Sequence, residues 1–169
     1  LVQRSSKAGI TEFIFVVGYR SESVVERFKD GNGFGTKIEY AVQKEQRGTG
    51  HALMMAEEMA KDEFLVLNGD VLTDTPSLKK IAEIEGLAVA AKRVSDPSRY
   101  GVFEVERGAL KSVKEKSRSP PSDLANAGIY LLNEKIFDVL RDVSISERGE
   151  YELTDGLNAL VSSGEEIRV

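Results

Sequence analysis

The feature that most restricts the fold of this chain is the regular exchange of short apolar runs with segments of helical spacing. Residues 13–19, FIFVVGY, form a continuous apolar run ending at Gly18-Tyr19, and SESVVERFKDG follows with Val24, Val25 and Phe28 spaced for a helix face. KIEYAVQ alternates like a strand, HALMMAEEMA is amphipathic, and EFLVLNGD reads as a buried strand. TPSLKKIAEIEG is expected to be a helix with Thr75 as its N-cap, Pro76 in its first turn and Gly86 as its stop. LAVAAKRV is a further buried strand. Strands that are apolar on both faces need cover on both, and β/α alternation supplies it.

The second half of the chain changes character. GVFEVE and ALKSVKEK flank Arg107-Gly108 as a hairpin, LANAGIYLL reads as a strand, and EKIFDVLRDV and LTDGLNALVSSG read as helices. The fold class expected is α/β, a Rossmann-like mixed, mainly parallel sheet flanked by helices, with ligands beyond the carboxyl ends of its strands. A chain of 169 residues can bury a core of that kind without staples, and it contains no cysteine for disulfide or thiolate chemistry. A net charge of −5 argues against a phosphate-backbone binder, and no apolar run is long enough to span a bilayer. Neither nucleic acid nor membrane is therefore an expected partner, and a cytoplasmic enzyme or binding module fits. The chain opens on Leu1 and closes on EEIRV, which reads as a strand beginning. A fragment cut at both ends is expected.

Several short stretches could carry chemistry. DGNGFG, residues 30–35, lacks full dinucleotide-fingerprint spacing and leads into a strand, so it reads as a turn. RGTG, residues 47–50, sits between a strand and a helix with Gln43 and Gln46 close by. Backbone N–H groups and a hydroxyl there could hold a ligand, and a carboxamide suits the edge of a neutral base such as uracil or thymine; an ordinary glycine turn is the other reading. Asp70, just past an apolar strand, could hold Mg²⁺ over a polyphosphate or simply cap a turn. Glu115 and Lys116 could meet sugar hydroxyls and a phosphate, or form a solvated strand end. Asn126 is a polar amide in an apolar strand and needs a partner, from the protein or from a ligand. His51, the one histidine, has no acidic partner in view and reads as structural rather than as a base.

Taken in order, DGNGFGTKIEYAVQKEQRGTGHAL, FLVLNGD, YGVFEVE, VKEKSRSPPSDLANAGIYLL and RGEYELTDGL resemble the sugar-phosphate nucleotidylyltransferases. The resemblance covers nearly the whole chain and is strongest to uridylyl and thymidylyl transferases, including bifunctional archaeal-type proteins with an added left-handed β-helix domain. It implies a nucleotide-diphospho-sugar transferase fold, here incomplete, and one domain over residues 1–169. It implies that Gln43, Gly48 and Thr49 bind the base, that Asp70 is one of two Mg²⁺-holding carboxylates, and that Lys116 meets the sugar phosphate. Gly101, Glu115 and Asn126 would contact the sugar. The implied ligands are a nucleoside triphosphate and a sugar 1-phosphate, with Mg²⁺ as cofactor. The family's glycine-rich triphosphate loop would lie before Leu1 and its second metal carboxylate after Val169, so these 169 residues alone are expected to be inactive.

Two other classes stay open. A regulatory or assembly module, as in translation-initiation exchange-factor subunits, shares the fold without the reaction. A glycosyltransferase ranks last, because NGDVLTD contains no Asp-x-Asp pair. A homo-oligomer is among the assemblies expected.

Overall fold

The computed structural model describes residues 1–169. Helix α1 (Val2–Lys7) leads into strand β1 (Glu12–Val17), which returns through α2 (Ser21–Phe28) to β2 (Lys37–Val42). The two strands pair in parallel from Glu12 opposite Lys37 to Val17 opposite Val42. A right-handed crossover through a helix is the ordinary way to join such a pair. After α3 (Thr49–Met54) come β3 (Glu63–Leu67), α4 (Thr75–Ala82), β4 (Ala88–Arg93), the hairpin β5 (Gly101–Glu106) and β6 (Ala109–Glu115), then β7 (Leu124–Asn133). Helices α5 (Lys135–Asp142) and α6 (Leu153–Ser162) complete the order.

Strand β7 organises the larger sheet. Strands β3 and β4 both pair antiparallel with it, so they share one direction, as their connection through α4 requires, yet β7 and not each other is their partner. Every ladder between the strands of this sheet is antiparallel, and the parallel pairing expected from the alternation in the first half is confined to the separate β1–β2 sheet. Along β7 the side chains alternate: Tyr130 and Leu132 enter one core, Ile129 and Leu131 the other. On the first face, α3, α5 and α6 contribute Leu53, Ile136, Phe137, Leu140, Leu157 and Leu160 around Phe103. Burial of a side chain of this size removes about 2 kcal/mol worth of apolar surface from water. On the second face, Ile81 of α4 packs with Ala88, Ile129 and Leu131.

Two local expectations change. Helix α4 is capped by Asp74, whose carboxylate accepts the Ser77 N–H at 2.8 Å, while the Thr75 hydroxyl donates to the Arg4 carbonyl at 3.3 Å. Asp74 takes the cap because its backbone is extended, leaving its side chain free to fold back on the first turn. The helix in HALMMAEEMA ends at Met54, where Met55 and Ala56 donate to Ala52 and Leu53, the tighter spacing of a 3-10 turn. DGNGFG is a turn around a short 3-10 segment, Asn32–Phe34. The closing EEIRV brings Arg168 alongside Ala88 and Ala109 with Ile167 fully buried.

Candidate active site

The carboxyl ends of β1, β2 and β3 supply Gly18, Gln43 and Asp70 respectively. Gln43 follows β2 directly and its N–H donates to the Val17 carbonyl at 2.8 Å, which extends the parallel pairing by one step. Its side chain is buried, and its amide nitrogen donates to the Gly48 carbonyl at 3.2 Å and faces His51 Nδ1 at 2.9 Å. Gln46 is exposed and donates from its amide to the Gln43 carbonyl at 3.0 Å, lying across Gly18.

The turn at Arg47–Gly50 is held by a distant segment. The Gly50 N–H donates to the Tyr151 carbonyl and the Tyr151 N–H to the Arg47 carbonyl, each at 2.8 Å. The Thr49 hydroxyl accepts the Leu153 N–H at 3.0 Å, so it satisfies the first free N–H of α6. Gly48 adopts φ 108° and ψ 175°, and a Cβ there would stand 2.5 Å from the Tyr151 carbonyl oxygen. Only glycine allows that conformation and that approach.

The same segment reaches the second group of residues. Glu152 is buried, accepting from the Ser146 hydroxyl at 2.8 Å and from Arg148 at 3.2 Å. Arg148 also lies 3.9 Å from the Glu115 carboxylate. Glu115 ends β6 opposite Gly101, and its carboxylate occupies the space that a side chain at 101 would fill, with Oε1 2.5 Å from that Cβ position. Asn158 of α6 anchors this strand end by clasping Val113, accepting its N–H at 2.7 Å and donating to its carbonyl at 3.0 Å. Asn126 donates to the Tyr130 hydroxyl at 2.8 Å and accepts the Gly128 N–H at 3.0 Å, so the protein itself supplies partners for this amide. Thr154 Oγ1 is buried without a regular hydrogen bond and adjoins Glu115. It is a polar atom with capacity to spare beside the carboxylate.

Electrostatics single out the same corner. Burial, then the nearby Glu152 charge, push the Glu115 carboxyl above its ordinary value, against the lowering influence of the Thr154 hydroxyl, Arg148 and Lys116. Burial likewise raises the Tyr130 phenol to about 12, with Asn126 opposing and Glu115 adding to the rise. Asp155 is raised by burial and by Glu152. A glutamate raised by folding stabilises the protein below its unfolded value and loses that contribution as pH rises through the folded one. Glu115→Gln is therefore expected to have a higher melting temperature than the parent at neutral pH. The difference should vanish as pH falls below the ordinary 4.5, which thermal melts across that window would check. A variant that is less stable at neutral pH would show that Glu115 is held by its ion pair rather than strained by its surroundings.

The remaining residues are more open. Lys116 is exposed at φ 42°, with its N–H donating to the Tyr100 carbonyl at 3.0 Å. Asp70 is exposed in a turn closed by the Val71 N–H on the Asn68 carbonyl, and Asn68 lies against Gly128, two residues from Asn126. No cluster of three or more acidic or histidine side chains is assembled for a metal ion. One exposed carboxylate does fit Mg²⁺, which keeps its waters and takes the rest of its shell from substrate phosphates. The structure thus joins Gln43, Gly48 and Thr49 to Glu115 and Gly101 through residues 146–154, while Asn126 is bonded within β7 and Asp70 stands apart in the turn begun by Asn68. Arg148, Glu152 and Thr154 were given no role on sequence grounds. The only signal was their place in RGEYELTD.

The profile of the nucleotidyl transferase family matches residues 1–168. This chain belongs to that family. Among curated relatives, the bifunctional protein GlmU of Methanococcus maripaludis (strain C7) is 42% identical over 158 residues, covering 92% of this chain and 37% of that protein. The bifunctional sugar-1-phosphate nucleotidylyltransferase/acetyltransferase of Sulfurisphaera tokodaii is 37% identical, over 88% of this chain and 38% of that protein. A Bacillus anthracis crystal structure assigned as a glucose-1-phosphate thymidylyltransferase superposes with a TM-score of 0.83 at 29% identity, covering 99% of this chain and 70% of that one. A UDP-glucose pyrophosphorylase bound to UDP-glucose shares the fold, with a TM-score of 0.82 at 23% identity over 99% of this chain and 75% of its own. The family member described here spans less than half the length of those curated relatives, and none of its helices is long and apolar enough to cross a membrane.

Proposed function

We propose that the protein containing this chain transfers a nucleotidyl group from UTP or dTTP to a sugar 1-phosphate in the cytoplasm, releasing pyrophosphate, and that residues 1–169 form one domain of it. The observation that carries this reading is the segment 146–154, which ties the buried Gln43 amide and the Gly48 turn to the Glu115 carboxylate over Gly101. A nucleotide-sugar needs a base subsite and a sugar subsite held by one continuous frame. The names of the relatives support the same class of reaction.

A sugar 1-phosphate oxygen attacks the α-phosphorus; the bond to the β-phosphate oxygen breaks and pyrophosphate leaves with its electron pair. The attacking oxygen is already ionised, so no general base is needed and catalysis rests on positioning and charge. Gln43 would orient the base against the Gly48 and Thr49 backbone. Glu115 and Asn126 would orient the sugar beside Gly101, and Lys116 would neutralise its phosphate. Asp70 would hold Mg²⁺, which when bound offsets charge developing on the phosphoryl oxygens.

The test is pyrophosphate release by the natural protein with Mg²⁺, offering UTP and dTTP against a panel of sugar 1-phosphates. Release with one base and one sugar is the expected result, and it identifies both. A folded protein silent across the panel would overturn the transferase reading in favour of a regulatory module. Residues 1–169 alone are expected to bind nucleotide-sugar without turnover.

A further inference from the structure

We infer that His51 is a positioning residue that locks the Gln43 carboxamide with its carbonyl oxygen toward the ligand, making this end of the site selective for bases that present an imide N–H. The inference rests on the reading of Gln43 as the base contact and deepens it.

The argument is one of hydrogen-bond capacity. The Gly48 carbonyl is an acceptor only, so the amide atom 3.2 Å from it must be the nitrogen of Gln43. That nitrogen carries two hydrogens. The first goes to Gly48, and the second faces His51 Nδ1 at 2.9 Å, which can receive it only as an unprotonated ring nitrogen. His51 must therefore carry its proton on Nε2. Both donors of the amide are then spent inside the protein, and the acceptor Oε1 is the one polar atom of the side chain left to meet a base.

The lock is itself supported. His51 is the third residue of α3, and its ring leans on Tyr151 with centroids 6.4 Å apart. Tyr151 in turn is bonded through its backbone to Arg47 and Gly50. A side chain 8% exposed cannot exchange these partners for water at no cost. A lone acceptor complements the N3–H of uracil or thymine and opposes cytosine, whose N3 is also an acceptor. Without His51, one amide hydrogen loses its partner and the carboxamide is free to turn.

Two measurements test this. The chain contains one histidine, so nitrogen-15 NMR of the histidine-labelled protein at mildly alkaline pH reads its tautomer without ambiguity. The Nε2–H form is expected, and the Nδ1–H form would overturn the inference with no variant needed. Equilibrium binding of UTP, dTTP and CTP is then compared in the parent, His51→Leu and His51→Asn. In His51→Leu the preference for UTP or dTTP over CTP should fall about tenfold, the loss of one buried hydrogen bond, with sugar 1-phosphate binding unchanged. His51→Asn, which can turn a carbonyl toward Gln43, should recover most of it. Unchanged selectivity in folded His51→Leu would make His51 structural only. A parent that binds CTP as well as UTP and dTTP would instead sink the base reading of Gln43, and a panel silent for catalysis would leave that binding result standing on its own.

Discussion

Asp70→Asn in the natural protein is expected to lower pyrophosphate release by about 100-fold or more while leaving the fold unchanged. The side chain is exposed past the end of β3 and makes no hydrogen bond or ion pair within the chain, so its removal takes nothing from the packing. The amide keeps the shape and loses the charge. What disappears is the carboxylate that would hold the divalent cation against the triphosphate, an interaction that strengthens as charge builds on the transferred phosphoryl group. The loss should therefore lie mainly in kcat, with the melting temperature unmoved. Activity within roughly threefold of the parent would show that Asp70 only shapes the turn begun by Asn68, and the proposed metal role would have to move elsewhere.

Gly48→Ala should be the most damaging single methyl in the chain, costing about 3 kcal/mol or more of stability. Strain and collision act together there. A φ of 108° with ψ near 175° is essentially closed to L-residues, and the new Cβ would meet the Tyr151 carbonyl oxygen at 2.5 Å and the Tyr151 amide nitrogen at 2.9 Å. Those atoms belong to backbone already committed to Arg47 and Gly50, so the segment can yield only by leaving the turn. Denaturant unfolding measures the cost, and nucleotide-sugar binding should weaken in parallel because the two halves of the site part. Gly33→Ala is the control: its Cβ meets nothing within 4 Å, and its effect should stay within about 0.5 kcal/mol. Equal behaviour of the two variants would refute the role assigned to the close approach.

The contrast between these glycines shows how far the chain can be read unaided. Gly33 and Gly48 both stand in short glycine-bearing turns of the sequence. Nothing adjacent to Gly48 reveals that residues 150 and 151 press against it. The same holds for Thr49, whose hydroxyl suggested a wall for a ligand and in the fold accepts the N–H of Leu153 across 104 residues of chain. Asn126 was legible as an amide needing company, and the fold supplies Tyr130 and the Gly128 N–H. His51 was passed over because its partner is a glutamine rather than an acid.

What the amino-acid order determined by itself was local: the strands, most of the helices, the hairpin at Arg107-Gly108, and the ordered motifs that mark the family. These follow from side-chain periodicity and turn chemistry, which act over a few residues. The tertiary structure alone decided that β7 stands as the common partner of β3 and β4, and that Arg148, Glu152 and Thr154 gather at Glu115. Contacts of that range are selected by burial and by the need to pair every enclosed polar group, and neither constraint leaves a spacing in the sequence to be read.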